Sequence, residues 1–103
     1  MPSYHQETTG ALKANDDYVG QSHDLIDDKY LLAFAHADED GTIQVEQSPN
    51  KRDWYVLEEK DLNADESIRL VSESVCRYAR VYYENGNARQ NTFRLLTCSK
   101  GAR

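Results

Sequence analysis

The sequence predicts an all-β protein, a single antiparallel sandwich of about seven or eight short strands. Three observations lead there. Apolar and polar residues alternate over short runs, as in TIQVEQS (42–48) and SIRLVSE (67–73). Turn chemistry recurs between runs of five to ten residues, at Asp27-Asp28-Lys29, Asp38-Glu39-Asp40-Gly41 and Ser48-Pro49-Asn50-Lys51. No long segment carries a 3.6-residue apolar period. LEEKDLNADESIRLVSESV scores as a helix, but the Asn63-Ala64-Asp65 break and the alternation around Ile68 count against one.

Residues 1–17 carry Thr8, Thr9, Gly10, Asn15, Asp16 and Asp17 with little apolar period. They read as an extended N-terminal arm. The sandwich then spans 18–98, and 99–103 form a short tail. YVGQSHDLI (18–26) is a weak first strand, and YLLAFAHA (30–37) is apolar enough to be central. Gly41 supplies a positive φ to the tight turn that follows. In 42–48, Ile43, Val45 and Gln47 share one face, with Gln44 and Glu46 on the other. DWYVLEE (53–59) comes next, and Trp54, like Val45, is read as a core anchor. SIRLVSE follows, and two last strands run from about Val75 to Glu84 and from Gln90 to Cys98.

A hairpin register with paired positions summing to 174 sets Ala79 opposite Leu95 and Val81 opposite Phe93 on one apolar face. It sets Cys76 across from Cys98 and Arg80 across from Arg94. In a Greek-key sandwich consecutive strands cross between sheets, and this pairing then fails. Val81, Phe93 and Leu95 read as core in either case.

The 103 residues suffice for one core only. Lys and Arg number 12 against 18 carboxylates, for a net charge of −6. Free nucleic acid is therefore an unsuitable partner, because phosphate binding needs clustered bases. No run approaches the ~18 apolar residues of a membrane span. The first residues lack the basic start and apolar core of a signal peptide. Two cysteines do not make a disulfide framework and read as small buried residues, with a cross-strand disulfide as the alternative where the register summing to 174 holds.

Chemistry-bearing motifs are sparse. Asp38-Glu39-Asp40-Gly41 offers oxygens for a hard cation but lacks the ligand spacing of a calcium loop, so it reads as a solvated turn. His5, His23 and His36 have no metal-ligand spacing. No nucleophile elbow or phosphate-binding glycine loop occurs. The expectation is no enzyme, no catalytic residue, no metal and no cofactor. Tyr78, Arg80 and Tyr82, with Arg94, form an aromatic and cationic stripe suited to subunit contact, since Tyr and Arg concentrate at interface hot spots. Tyr4 and Leu12 in the arm are further candidates for partner contact.

The order of motifs DEDGTIQVEQS, DWYVLEE and CRYARVYYENGNARQNTFRLL resembles small β-sandwich proteins of tailed viruses of bacteria and archaea. The resemblance covers about residues 30–96. It rests on Gly41, Val45 to Ser48, Trp54, Arg77, Tyr78, Arg80, Val81, Tyr83, Asn85, Gly86, Ala88, Gln90, Phe93 and Leu95. Pro49-Asn50-Lys51-Arg52 departs from the small turn that such proteins place before the tryptophan. The resemblance implies a jelly-roll-like virion component: a capsid decoration or vertex turret subunit, located on the capsid exterior or on the tail. Its partners would be other copies of itself and a major capsid protein, with neither nucleic acid nor membrane. The acidity would suit a halophilic host. Two rival readings are a glycan- or receptor-binding tail module and an acidic inhibitor of a host defence protein. The arginines at 77, 80, 89 and 94 interrupt the acidic field that such an inhibitor needs.

Overall fold

The computed structural model describes residues 3–8 and 10–102. Among the described residues, nine antiparallel strands build two packed sheets, in a jelly-roll-like sandwich. They are β1 (Ser3–Thr8), β2 (Asp17–Val19), β3 (His23–Asp24), β4 (Asp28–Ala37), β5 (Gly41–Ser48), β6 (Tyr55–Leu62), β7 (Ser67–Glu73), β8 (Tyr78–Asn85) and β9 (Phe93–Ala102). The first sheet has the order β1-β9-β4-β7. The second has the order β2-β8-β5-β6, with β3 also paired to β8. The expected first strand is thus two pieces on the same neighbour, interrupted around Gly20.

Most connections pass from one sheet to the other, and β5–β6 is a hairpin within one sheet. This corrects the register summing to 174. β8 lies between β5 and β2 in the second sheet, whereas β9 lies between β4 and β1 in the first. Leu95 pairs with Ala35, and Ala79 pairs with Gln47. The two strands meet through the core instead, with the Tyr83 and Phe93 ring centroids 4.5 Å apart. Cys76 and Cys98 are free thiols, and Cys98 pairs with Leu32. The physical reason is the two-layer architecture: a chain that alternates layers buries one face of each strand against a strand distant in sequence.

Alternation sets the core. In β4, Leu31, Ala33, Ala35 and Ala37 point inward, and Ile43 and Val45 do the same in β5. Ala79, Val81 and Tyr83 enter from β8, and Phe93 and Leu95 from β9. In register with the β4 alanines, Phe93 lies beside Ala37 and Leu95 beside Ala35, large side chains next to small ones.

Within the expected N-terminal arm, the described residues contact the sandwich. Ser3–Thr8 form β1 at the edge of the first sheet, in register with Ser99 to Leu95 of β9. The following segment is tied down by Glu7, whose Oε1 accepts the Gln21 amide and the Tyr18 hydroxyl. Leu12 packs against the core. Residues of low periodicity reach this order because β9 offers an open edge, and edge pairing uses backbone groups rather than side chains. The strand also extends the tail: 99–102 belong to β9.

Gly41 does not have the positive φ expected of it. It is a glycine for proximity. A Cβ there would meet the Tyr83 hydroxyl, lie 2.6 Å from Tyr83 Cζ and 2.8 Å from the Glu84 carbonyl oxygen. Among the described residues no helix is long and apolar enough to cross a membrane.

Candidate functional site

The two outward sheet faces carry the side chains that the core does not use. On the first sheet the register arranges them in rows. Val71, Leu32 and Cys98 form one row, and Arg69, Phe34 and Leu96 the next. Glu73, Tyr30 and Lys100 lie beyond the first row, and Ser67, His36 and Arg94 beyond the second. Apart from Arg69 on β7, the central rows form an apolar belt around a shallow depression of about 340 Å³. Val71 is 58% exposed and Leu96 43%. Leaving such side chains wet costs roughly 1–2 kcal/mol each relative to burial.

The outward face of the second sheet is aromatic and acidic. Arg80 stacks its guanidinium 4.0 Å from the Trp54 ring centroid and donates to Glu46 Oε1 at 2.8 Å. Lys51 Nζ lies 4.8 Å from the Tyr78 ring centroid, with the Arg77 guanidinium 5.2 Å from it. Arg77 in turn pairs with Asp24 at 3.0 Å, which holds the Asp24 carboxyl below its usual range. Tyr82 donates its hydroxyl to Asp17 Oδ2 at 2.7 Å. That hydrogen bond to a carboxylate, with burial, pushes the Tyr82 phenol up to about 12. The phenol is thereby held as a donor. These groups orient and stack one another.

The expected contact residues separate onto different surfaces. Tyr78, Arg80 and Tyr82 share the outward face of the second sheet. Arg94 lies on the outward face of the first, across from His36. Leu12 is half-buried against the core. Tyr4 pairs in β1 with Cys98, and its side chain lies outside the described residues. Val45, Val81, Phe93 and Leu95 are fully buried. Trp54 is not a core anchor: it is half-buried under Arg80 on the outside, with its Nε1 donating to the Lys51 carbonyl.

Several polar residues of the motif stretches prove to be staples. Gln47 is fully buried. Its Nε2 donates to Ser72 Oγ and the Glu73 carbonyl, and its Oε1 accepts the Val75 and Cys76 amides. Gln90 joins the Leu12 amide to the Tyr83 hydroxyl, and Asn85 donates to the Lys13 and Ala88 carbonyls. The sequence did hold a signal for Gln47: it alternates in phase with Ile43 and Val45, so a polar group sits on an apolar face. Buried polar groups of that kind are hydrogen-bonded.

A family model described as the N-terminal domain of uncharacterised protein YqxG matches residues 2–100. Among solved structures, the PBSX exported protein XepA superposes with a TM-score of 0.91 at 26% identity. The match takes in 98% of this chain and 38% of that one, so the chain spans well under half the length of this relative. A Bacillus endospore appendage described as a disulfide-linked pilus matches at TM-score 0.66 and 12% identity, covering all of this chain and 88% of that one. The Tobacco streak virus coat protein matches at 0.50 and 10%, covering 98% and 86%. These last two likenesses concern the fold. No curated protein matches the sequence.

Proposed function

The chain belongs to the YqxG N-terminal domain family, and from that premise we propose that it is a non-enzymatic assembly module of a virus particle. It works outside the cell, through its broad sheet faces. The observation that carries this reading is the apolar belt on the first sheet, with Val71 and Leu96 left open to solvent. Contiguous exposed apolar surface marks an interaction site. Likeness to an exported protein over nearly the whole chain supports a role beyond the cell envelope. The sandwich shared with a pilus and a coat protein supports repetition at the level of fold alone.

Within that role the chain is a capsid decoration or vertex turret subunit, which forms a symmetric homo-oligomer on the shell and touches a major capsid protein. A glycan-binding role is less suited to the second face. The Trp54 ring is already stacked by Arg80 and the Tyr78 ring flanked by Lys51 and Arg77, so a sugar would have to displace a cation.

Quantitative mass spectrometry of purified particles tests the reading by counting this chain against the major shell protein. Tens to hundreds of copies per particle are expected of a repeated shell component. A handful would move it to the tail, and absence from particles would overturn the structural role.

A further inference from the structure

We propose that the free edge of β7 takes up an extended, basic segment of another protein as an added strand of the first sheet. This goes beyond the assembly reading above, since it uses a sheet edge rather than a broad face.

β7 ends the first sheet and, among the described residues, pairs only with β4. The Ser74 amide donates to the Lys29 carbonyl at 2.7 Å. Bonded and non-bonded pairs alternate along an antiparallel ladder, so Ser72, Leu70 and Ile68 also bond β4. On the other side of β4, the Asp38 amide bond to the Thr92 carbonyl sets the complementary alternation with β9. Arg69 and Val71 therefore turn their N–H and C=O groups to the open side. Their strand keeps one register against β4, with no bulge and no proline to blunt the edge. The edge of the second sheet is blunted by contrast. β6 shifts register against β5 between Val45 and Glu46, and its Glu58 and Lys60 stand in line with the inward Val45 and Ile43.

Space beside β7 is open. Gln47 of β5 bonds Ser72 of β7 at 2.9 Å across the core, so β7 overlies β5 at that end. β6 is one strand further out, and every residue of it except Leu62 is exposed. Tyr55, in line with Gln47, is 57% exposed. Neighbouring strands lie about 4.8 Å apart, so a strand added to β7 comes to lie over β6 and covers Tyr55 and Glu58. It also closes over Ile68, which is only partly buried at the rim of the core.

Charge decides the kind of segment. Residues 58–73 hold six carboxylates against two bases, Lys60 and Arg69. Among the described residues no ion pair engages any of the six. An acidic strand laid there would meet like charge, and the β7 of a second copy would bring the same carboxylates with it. A strand bearing lysine or arginine is attracted and held in register. Its apolar side chains suit the Gln47 end, where Tyr55 and the exposed Val75 stand. Backbone bonds to Arg69 and Val71 supply the ladder, as in other cases of strand addition.

The test is a titration of the nitrogen-15-labelled full chain, followed by NMR at about 50 mM salt, where charge is little screened. The probe is a capped peptide of about eight residues alternating lysine and valine, for which a Kd of roughly 0.05–1 mM is expected from so small a contact. At saturation, amide exchange should slow about tenfold at Arg69 and Val71 and stay unchanged at Leu70 and Ser72. A peptide with glutamate in place of lysine should bind about tenfold more weakly, as should the lysine peptide methylated on every backbone nitrogen. Glu58→Lys with Glu73→Lys, both at exposed positions, should weaken binding of the lysine peptide about fivefold. Urea midpoints within the error of the wild type establish that this variant is folded.

Unchanged exchange at Arg69 and Val71 under saturating peptide would overturn the proposal, whatever else the peptide touches. Equal binding of the glutamate peptide or of the methylated one would overturn it too, since charge or the ladder would then play no part. So would protection of those two amides that grows with protein concentration alone, which would give the edge to a second copy. The count of chains per particle bears on the reading above and leaves this one unaffected.

Discussion

Replacing Gln47 by leucine tests how far one buried amide holds the two sheets together. The side chain belongs to β5 in the second sheet and is fully enclosed. Its four hydrogen bonds, of 2.8–2.9 Å, end on Ser72 and Glu73 in β7 of the first sheet and on the Val75 and Cys76 amides just after it. Leucine fills a similar volume and makes none of them. Each net hydrogen bond contributes about 0.5–1.5 kcal/mol, and a buried partner left unsatisfied costs about 1–3 kcal/mol. Two effects reduce the sum. Val75 is exposed, so its amide can turn to water, and burial of the leucine returns roughly 1–2 kcal/mol.

The expected loss is therefore about 2–4 kcal/mol, a large share of the ~5–15 kcal/mol that holds a domain folded. It corresponds to a fall in Tm of roughly 10–25 °C for a chain of this size. Urea unfolding followed by circular dichroism and by the fluorescence of Trp54 measures it. Hydrogen exchange should show the Val75 and Cys76 amides opening ahead of the core. A loss below about 1 kcal/mol with an unchanged m-value would refute the reasoning, since it would mean the four bonds are replaced by water at no net cost.

Three further outcomes are expected. Gly41→Ala should destabilise the fold by about 1–3 kcal/mol through overpacking against the fixed Tyr83 ring and the Glu84 carbonyl, and thermal unfolding checks it. Deleting residues 1–9 removes β1, so it should lower Tm and leave β9 as an open edge; an unchanged Tm would restore the view of this segment as an independent arm. In alkali, Tyr82 and Tyr83 should ionise late, Tyr83 being pushed up to about 12 chiefly by burial. Because the unfolded chain releases these protons near 10 and the folded chain near 12, their stabilisation is complete below pH 10 and fades as pH rises from there towards 12. Tyrosinate absorbance should show a late component that Tyr82→Phe diminishes; titration of all tyrosines together near 10 would contradict it.

The sequence alone determined what depends on neighbours along the chain. Alternation gave the all-β class, the bounds of β7 and the inward faces of β4 and β5, because a strand's side chains change face at every residue whatever lies opposite. It placed Val45, Val81, Phe93 and Leu95 on apolar faces and put Gln47 among them. Tertiary structure decided everything that depends on which strands become neighbours. It separated β8 from β9, split Arg94 from Tyr78, Arg80 and Tyr82, moved Trp54 to the outside, and recruited Ser3–Thr8 into the first sheet. The meeting of Arg69 and Arg94 on one outward face belongs to this second group. Arg69 and Arg94 stand 25 positions apart in sequence and meet on one face only because β7 and β9 both pair with β4. Backbone pairing fixes the faces after the layers have formed, and a local pattern carries no record of the partner it will meet.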